Sequence, residues 1–374
     1  MAATGLFGLL SVITGFLKIR YLADKAVIDN VVFRAHYKIT CAIIFTCCLV
    51  VTANHLIGDP IKCLTEGTED NEKVINSYCW IFSTYTIKSE KNDIIGLGND
   101  YKKEKKYQFY YQWVPLTLFV QGILFYIPHW IWKQWEGGKI KAISDGIRGS
   151  TVDAHSKRKT STQRLVQYIY DTLHLHNSYA IVYFFCEVLN FVNVLTNIFM
   201  LDKFLGGSFL TYGLKIFSFV NADQDERHDP MIEIFPRMTK CIFYKYGVSG
   251  SIQNHDALCI LALNVVSEKI YIFLWFWFII LAIMSGAAII YSMIIILLPI
   301  SRELILQKMF KFHSKPGVKI LVEETQIGDF LLLYLLGQNI NGIYFNEVLK
   351  ELENQLRSSL LSNGAKCNSL RRTL

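Results

Sequence analysis

Four cysteines in two polar stretches are the residues whose chemistry the sequence defines best. Cys63 and Cys79 lie in one stretch, and Cys241 and Cys259 lie in another. Paired thiols form disulfides in oxidising compartments, whereas the cytosol keeps them reduced. Four cysteines allow three pairings, so bridges within each stretch and bridges between the two stretches both stay open.

Motifs for catalysis and metal binding are absent from the sequence. The chain has no Walker loop, no GxSxG elbow, no HExxH helix and no Cys-x-x-Cys pair. His174 and His176, beside a predicted helix end, are more typical of a solvated pair than of a metal site. We therefore expect no enzymatic activity, no cofactor and no metal.

The composition is that of a membrane protein. The chain has 374 residues, of which 52% are hydrophobic and 18% charged, and its mean hydropathy is +0.28. At about 1.5 Å per residue, the stretch 109–132 can cross the roughly 30 Å hydrocarbon core as one helix. The predicted transmembrane segments are 39–57, 109–132, 179–201 and 270–298.

The distribution of charge predicts the orientation of these segments. The connecting segments are 1–38, 58–108, 133–178, 202–269 and 299–374. The first, third and fifth of these together carry a net charge of +10, and the other two carry −2. Positive segments favour the cytoplasm, so we expect cytoplasmic termini and two extracellular loops that hold the four cysteines. The basic run 102–106 is a local exception.

Several side chains inside the predicted spans are unusual there. Threonines, cysteines and Asn54 on the first span indicate a face toward protein or water, or close helix packing. Glu187 on the third span should face the bundle interior. Pro115 and Pro128 each remove a backbone donor from the second span. We expect a bend at Pro115 that contributes to gating, and a looser inner end unless neighbours bind the freed carbonyls.

The C-terminal segment 299–374 is predicted to be helical and cytoplasmic. Apolar residues recur at helical spacing after Asn341, a plausible helix cap: Phe345, Val348, Leu349, Leu352 and Leu356. They would either pack on the apolar run 327–336, which we favour, or form a separate binding module. Past Leu360 the polar composition predicts disorder.

Short motifs throughout the chain resemble the signature of the innexin family of invertebrate gap-junction proteins. The most specific is the run Tyr110-Tyr111-Gln112-Trp113-Val114-Pro115. Further matches cover nearly the whole chain: Pro128-His129-Trp130, Trp135-Glu136-Gly137-Gly138, Phe235-Pro236, Thr239-Lys240-Cys241, Gly250-Ser251, His255-Asp256-Ala257-Leu258-Cys259, Asn264, Glu268-Lys269-Ile270-Tyr271 and Ile327-Gly328-Asp329.

This resemblance implies an all-α membrane protein with four transmembrane helices, a disulfide-stapled extracellular cap and a helical cytoplasmic domain. It implies the bridges Cys63–Cys259 and Cys79–Cys241. It also implies an octameric hemichannel of identical or related subunits in membrane lipid. This hemichannel would dock onto the hemichannel of a neighbouring cell and pass ions and small metabolites. No nucleic acid is expected as a partner.

By the same resemblance, residues 1–16 fold into the pore mouth and line it together with the first span. This segment has no ionisable side chain before Lys18, so size rather than charge should be the main filter at the mouth. Acidic groups at the outer end could add some cation preference. The candidate pore-lining residues are Leu6, Phe7, Leu9, Leu10, Asn54, Asp59 and Glu66.

The sequence leaves two other functions open. One is an undocked plasma-membrane release channel, as in the related pannexins, and the other is a small-molecule transporter. The chain has no Asn-x-Ser/Thr sequon, so no N-linked glycan would obstruct contact between docked loops. It also has no inverted internal repeat of the kind that many transporters use. A gap-junction channel is therefore the favoured function.

Overall fold

The computed structural model describes residues 26–64, 69–87, 105–144, 155–221, 230–309 and 315–372. The chain divides into two compact units. We call Ala35–Tyr126 with Phe191–Met284 the cap unit. We call the described parts of Met1–Arg34, Ile127–Asn190 and Ser285–Leu374 the tail unit.

Four helices are long and apolar enough to cross a membrane, which confirms the predicted number of spans. They are α1 Val31–Ile57, α3 Val114–Glu136, α6 Asn177–Phe204 and α9 Ala262–Leu297. All four include residues beyond the predicted apolar stretches. In α1 the helix begins eight residues early because Asn30 caps it, with its Oδ1 accepting from the Phe33 N–H at 2.6 Å. A π-helical segment, Ala35–Thr40, follows within α1.

Shorter elements complete the described chain. The remaining α-helices are α2 Glu69–Phe82, α4 Lys139–Ser144, α5 His155–Asp171, α7 Phe209–Asn221, α8 Pro230–Ile234, α10 Pro299–Met309, α11 Lys315–Glu324, α12 Ile327–Asn339 and α13 Gly342–Arg372, and a 3-10 helix, Tyr110–Gln112, precedes α3. The strands are β1 Lys62–Leu64, β2 Thr84–Ile87, β3 Lys105–Gln108, β4 Met238–Tyr246 and β5 Ile252–Ile260.

The cap unit contains a five-stranded antiparallel sheet in the order β1-β5-β4-β2-β3. The predicted fold class is confirmed in its helical character, but this sheet within the predicted loops was not foreseen. Thr239 and Cys241 alternate with less buried residues along β4, which is the period-two pattern of a strand with one covered face. The sheet therefore joins two segments that are far apart in sequence.

Close helix packing builds the apolar core of the cap unit. A Cβ atom at Gly122 would lie 2.8 Å from the ring of Phe45, so the glycine lets α1 and α3 approach. The Cys41 thiol contacts the Gly122 carbonyl at 3.3 Å on the same face. Thus one predicted role of the polar face of α1, small residues for tight packing, is confirmed for this cysteine.

The tail unit has its own core around α12 and α13. The five apolar residues predicted at helical spacing are all buried in α13, together with Phe330, Leu333 and Leu336 of α12. The predicted packing of the C-terminal segment on 327–336 is therefore confirmed. Helix α13 continues to Arg372, past Leu360, where the polar composition predicts disorder. Alanine, leucine and arginine in this stretch favour helix.

Candidate functional site

Two disulfides lie side by side in the cap unit. Cys63 of β1 pairs with Cys259 of β5, its direct partner in the sheet, with their Cα atoms 3.9 Å apart. Cys79 of α2 pairs with Cys241 of β4, with a Cα–Cα distance of 5.9 Å. The pairing implied by the resemblance is confirmed, and the alternative of bridges within each loop is wrong.

These bridges join distant parts of the chain into one body. They close loops of 196 and 162 residues. Closing a long loop removes much conformational freedom from the unfolded chain, which is worth roughly 2–4 kcal/mol per bridge. All four cysteines are buried in a small apolar core with Tyr111. We call this disulfide-bonded body, β1–β5 with α2, the cap.

The Tyr110-Tyr111-Gln112-Trp113-Val114 motif fastens the cap to the start of α3. The Tyr111 hydroxyl donates to the Cys79 carbonyl at 3.3 Å, and its ring lies 4.8 Å from that of Trp80. The Gln112 side-chain amide donates to the Trp80 carbonyl. Val114 is fully buried, whereas Trp113 is 56% exposed. The motif thus holds α2 of the cap against the start of α3.

A second cluster of motif residues gathers around Asn264. Its amide donates to the Tyr110 hydroxyl at 3.0 Å and to the Pro236 carbonyl at 2.8 Å. Phe235 stacks on Tyr271 with ring centroids 5.4 Å apart. Residues from four of the matched motifs therefore meet where β4 and α9 join the cap to the spans.

An ion pair at this junction was not predicted. The Glu268 carboxylate is fully buried and lies 3.1 Å from Arg237 and 2.7 Å from Lys269. Arg237 precedes β4, and Glu268 lies in α9. The only signal in the sequence is that Glu268 belongs to a motif. Its partner, 31 residues earlier, could not be identified from spacing alone.

The two prolines of α3 differ in position. Pro115 is the second residue of the helix, in the first turn, where no helical hydrogen bond depends on its N–H. Proline fits the first turn without distortion, so this position does not favour the bend expected at Pro115. Pro128 is the proline within the helix.

The predicted pore-lining residues can be located only in part. Asn54 and Asp59 are exposed in the single chain, and Asp59 lies 3.3 Å from Lys62. Thr46, Val50 and Asn54 recur every four residues along α1 and are all exposed, so they share one face of the helix. Leu6, Phe7, Leu9, Leu10 and Glu66 lie outside the described residues.

Buried carboxylates hold together parts of the tail unit. Glu187 accepts hydrogen bonds from the Asn30 amide and the Ser292 hydroxyl, so it faces the helix bundle as predicted. Asp329 lies 3.0 Å from Nδ1 of His176 and accepts from the His174 backbone N–H. His176 is buried, so the expectation of a solvated histidine pair is wrong for that residue.

The ionisation of Asp329 reflects this arrangement. Burial raises the pKa of the Asp329 carboxyl, but the hydrogen bonds from His176 and from the backbone of His174 and Gln326 outweigh it and leave the pKa below its usual value. Gly328 beside it has no room for a side chain, because a Cβ atom would lie 2.2 Å from the His176 backbone. The Ile327-Gly328-Asp329 motif therefore allows the backbone at Gly328 to pack closely against the backbone at His176.

Comparisons with known proteins identify the family. The Innexin family model matches residues 29–356. The chain is 53% identical over 353 residues to Innexin inx3 of Drosophila melanogaster, covering 92% of this chain and 89% of that protein. It is 45% identical over 339 residues to Innexin shaking-B of the same organism, covering 88% and 90% of the two chains. It is 43% identical over 360 residues to Innexin inx2, also from Drosophila melanogaster, and this match covers 94% of this chain and 96% of that protein. The chain therefore belongs to the innexin family and is a subunit of gap-junction channels.

Proposed function

We propose that this subunit assembles as an octamer around a pore, with the cap outside the cell and both termini in the cytoplasm. Two such assemblies in neighbouring cells dock through their caps. The observation that carries this proposal is the pair of disulfides that make two long loops into one body. Disulfides persist outside the cell and not in the cytosol, so they favour an extracellular cap.

Several copies are needed because four spans are too few to enclose a wide aqueous path. The shared face of Thr46, Val50 and Asn54 on α1 is exposed in the single chain, which suits a pore-facing surface in an assembly. Asp59 follows the end of α1 and would lie at the outer mouth. Leu6, Phe7, Leu9 and Leu10 would line the inner mouth. The number eight rests on the family resemblance, and eightfold symmetry in images of the purified assembly would support it.

The tip of the β4–β5 hairpin is the part of the cap that we assign to docking. Tyr246 and Val248 are strongly exposed there. The turn is fixed by a hydrogen bond from the Gly250 N–H to the Gly247 carbonyl, and Gly250 has a φ of 79°, a conformation that favours glycine. A rigid turn that presents apolar side chains to solvent is suited to contact with another protein.

One substitution tests orientation and docking together. Ser249→Asn creates an Asn-Gly-Ser sequon at the exposed tip. We expect N-glycosylation, detected as a gel shift that a glycosidase reverses, because the modification requires an extracellular site. We also expect loss of conductance between paired cells, with currents through undocked hemichannels retained. Ser249→Gln, which has no sequon, is the matched control and should couple normally.

A second sequon tests the other side of the membrane. Ile343→Thr creates Asn-Gly-Thr at residues 341–343, and Ile343 is 67% exposed. This site should stay unglycosylated if the tail is cytoplasmic. Glycosylation of this variant would contradict the orientation. Normal coupling by a glycosylated Ser249→Asn variant would contradict docking through the hairpin tip.

A further inference from the structure

A cleft of about 770 Å³ lies within the tail unit, at one end of two membrane spans. Its walls come from the first turns of α6, the end of α9, the start of α10, and the segments around α11 and α12. Apolar side chains form most of the lining: Ile181, Phe184, Ile296, Pro299, Val322 and Ile327. This volume is in the range of sites that hold small organic molecules.

Arg302 brings a positive charge to this apolar cleft. Its Nε is buried and meets no hydrogen-bond acceptor within the described residues. Burial lowers the pKa of Arg302, but a guanidinium stays protonated at neutral pH. A buried charged donor without an acceptor is unfavourable, so a bound anion would stabilise the arrangement.

The other polar groups of the cleft have partners. The Asn177 amide donates to the Gln326 side chain, and the Thr325 hydroxyl donates to the Leu321 carbonyl at 2.6 Å. Glu323 also lines the cleft, and its carboxylate lies 3.8 Å from Lys319 on the same helix. This ion pair offsets the negative charge that Glu323 brings to the lining.

The cleft lies where the chain leaves the membrane. Ile296 is next to the last residue of span α9, and Ile181 lies in the second turn of span α6. Helix α10, which carries Arg302, also exposes Ile300 and Leu304, at 68% and 60%. Apolar side chains exposed beside a span end are typical of segments in the membrane interface.

We propose that this cleft binds one membrane phospholipid with an anionic head group. The head-group phosphate binds the Arg302 guanidinium, and an acyl chain lies along Ile181, Phe184 and Ile296. Inorganic phosphate would use the charge but not the apolar walls. A phospholipid uses both, and it is abundant at this depth. The site requires only that α6 and α9 span the membrane.

Binding of short-chain lipids to the purified full-length assembly in detergent tests the site. We expect dioctanoyl phosphatidylglycerol to bind, and the Arg302→Gln variant to bind it about tenfold more weakly, because a charge-assisted hydrogen bond is lost. Arg302→Lys keeps the charge and should retain most of the affinity. Lys308→Gln removes the same charge from an exposed position of α10 and should bind as the wild type does.

Other outcomes would overturn the proposal. Equal binding of dioctanoyl phosphatidylcholine would refute the preference for an anionic head group. Competition by glycerol phosphate as strong as by the lipid would show an anion site without a place for acyl chains. Equal losses in the Arg302→Gln and Lys308→Gln variants would show a general surface-charge effect. Absence of binding to the assembled wild type would show that another protein segment fills the cleft.

Photo-cross-linking of the wild type gives a second readout that does not depend on any variant folding. The probe is phosphatidylglycerol with a diazirine at the end of one acyl chain, added to the intact assembly. Cross-links should map to peptides that contain Ile181, Phe184 or Ile296. Labelling found solely at other positions would contradict the assignment.

Discussion

The side-chain amide of Asn193 donates a hydrogen bond to the backbone carbonyl of Leu124 at 3.1 Å. Leu124 lies four residues before Pro128, which has no N–H to bind that carbonyl in the helix. A neighbouring helix thus supplies the donor that the proline lacks. This is why α3 runs without interruption from Val114 to Glu136.

This relationship predicts that Asn193→Val destabilises the protein and that Pro128→Ala restores stability. The valine leaves a part-buried carbonyl without a donor, a loss of about 1–3 kcal/mol. Alanine at position 128 provides the missing N–H. In both variants Asn197 keeps its hydrogen bond to the Asn193 backbone carbonyl at 2.8 Å and loses the one to the Asn193 side-chain oxygen at 3.1 Å. Melting temperatures of the detergent-solubilised protein check this, and a double variant no more stable than Asn193→Val would contradict it.

The stability of the cap should depend on both disulfides. Removing either cysteine of one disulfide should have the same effect as removing both. Cys79→Ser and Cys241→Ser should each destabilise the cap by roughly 2–4 kcal/mol, and the double variant should lose no more than either single one. Both singles break the same bond, so their effects are not additive. Cys186→Ser, at a buried free cysteine, is the control and should keep the cap intact. Limited proteolysis of the cap measures this, and full resistance in Cys79→Ser would count against the bridge.

Gly328 should tolerate no side chain. A Cβ atom there would lie 2.2 Å from the His176 backbone, which cannot move away as a flexible side chain could. Gly328→Ala should therefore lower the yield of folded protein or its melting temperature. Gly342→Ala is the matched control and should fold normally, because nothing lies within 4 Å of a Cβ atom at that glycine. Equal behaviour of the two variants in size-exclusion chromatography would refute the close contact.

Pro115→Ala should leave the gating of junctional channels unchanged. Proline in the first turn of a helix removes no hydrogen bond and imposes no bend, so alanine keeps the same backbone path. The measurement is the voltage dependence of junctional conductance in paired oocytes. A shifted voltage dependence in this variant would show that Pro115 acts in gating by a route other than a bend.

The number of spans was predictable because lipid requires long, apolar helices. Their ends were harder to place, since Arg34 and Lys38 mark the polar boundary while the helix continues through both. The disulfide pairing came from the family resemblance, and the residues alone left it open. The charge on Asp329 and the burial of His176 depend on a contact across 153 residues, which no local pattern reveals.

The sheet of the cap was missed for a related reason. Strand β1 has three residues, and Cys259, which pairs with Cys63 of this strand, lies 196 residues later in the chain. Such a strand has too few positions for an alternating pattern to stand out. The ion pair between Arg237 and Glu268 is equally invisible in sequence, because each residue alone is an ordinary charged residue near a span.

Conductance between paired cells that both express this chain tests the central claim most directly. We expect junctional conductance in wild-type pairs, because the caps of the two assemblies dock into a continuous channel. Cells expressing the chain on one side alone, paired with cells lacking any such subunit, should show none. Surface currents in single cells without any junctional conductance in wild-type pairs would contradict the account and indicate an undocked release channel.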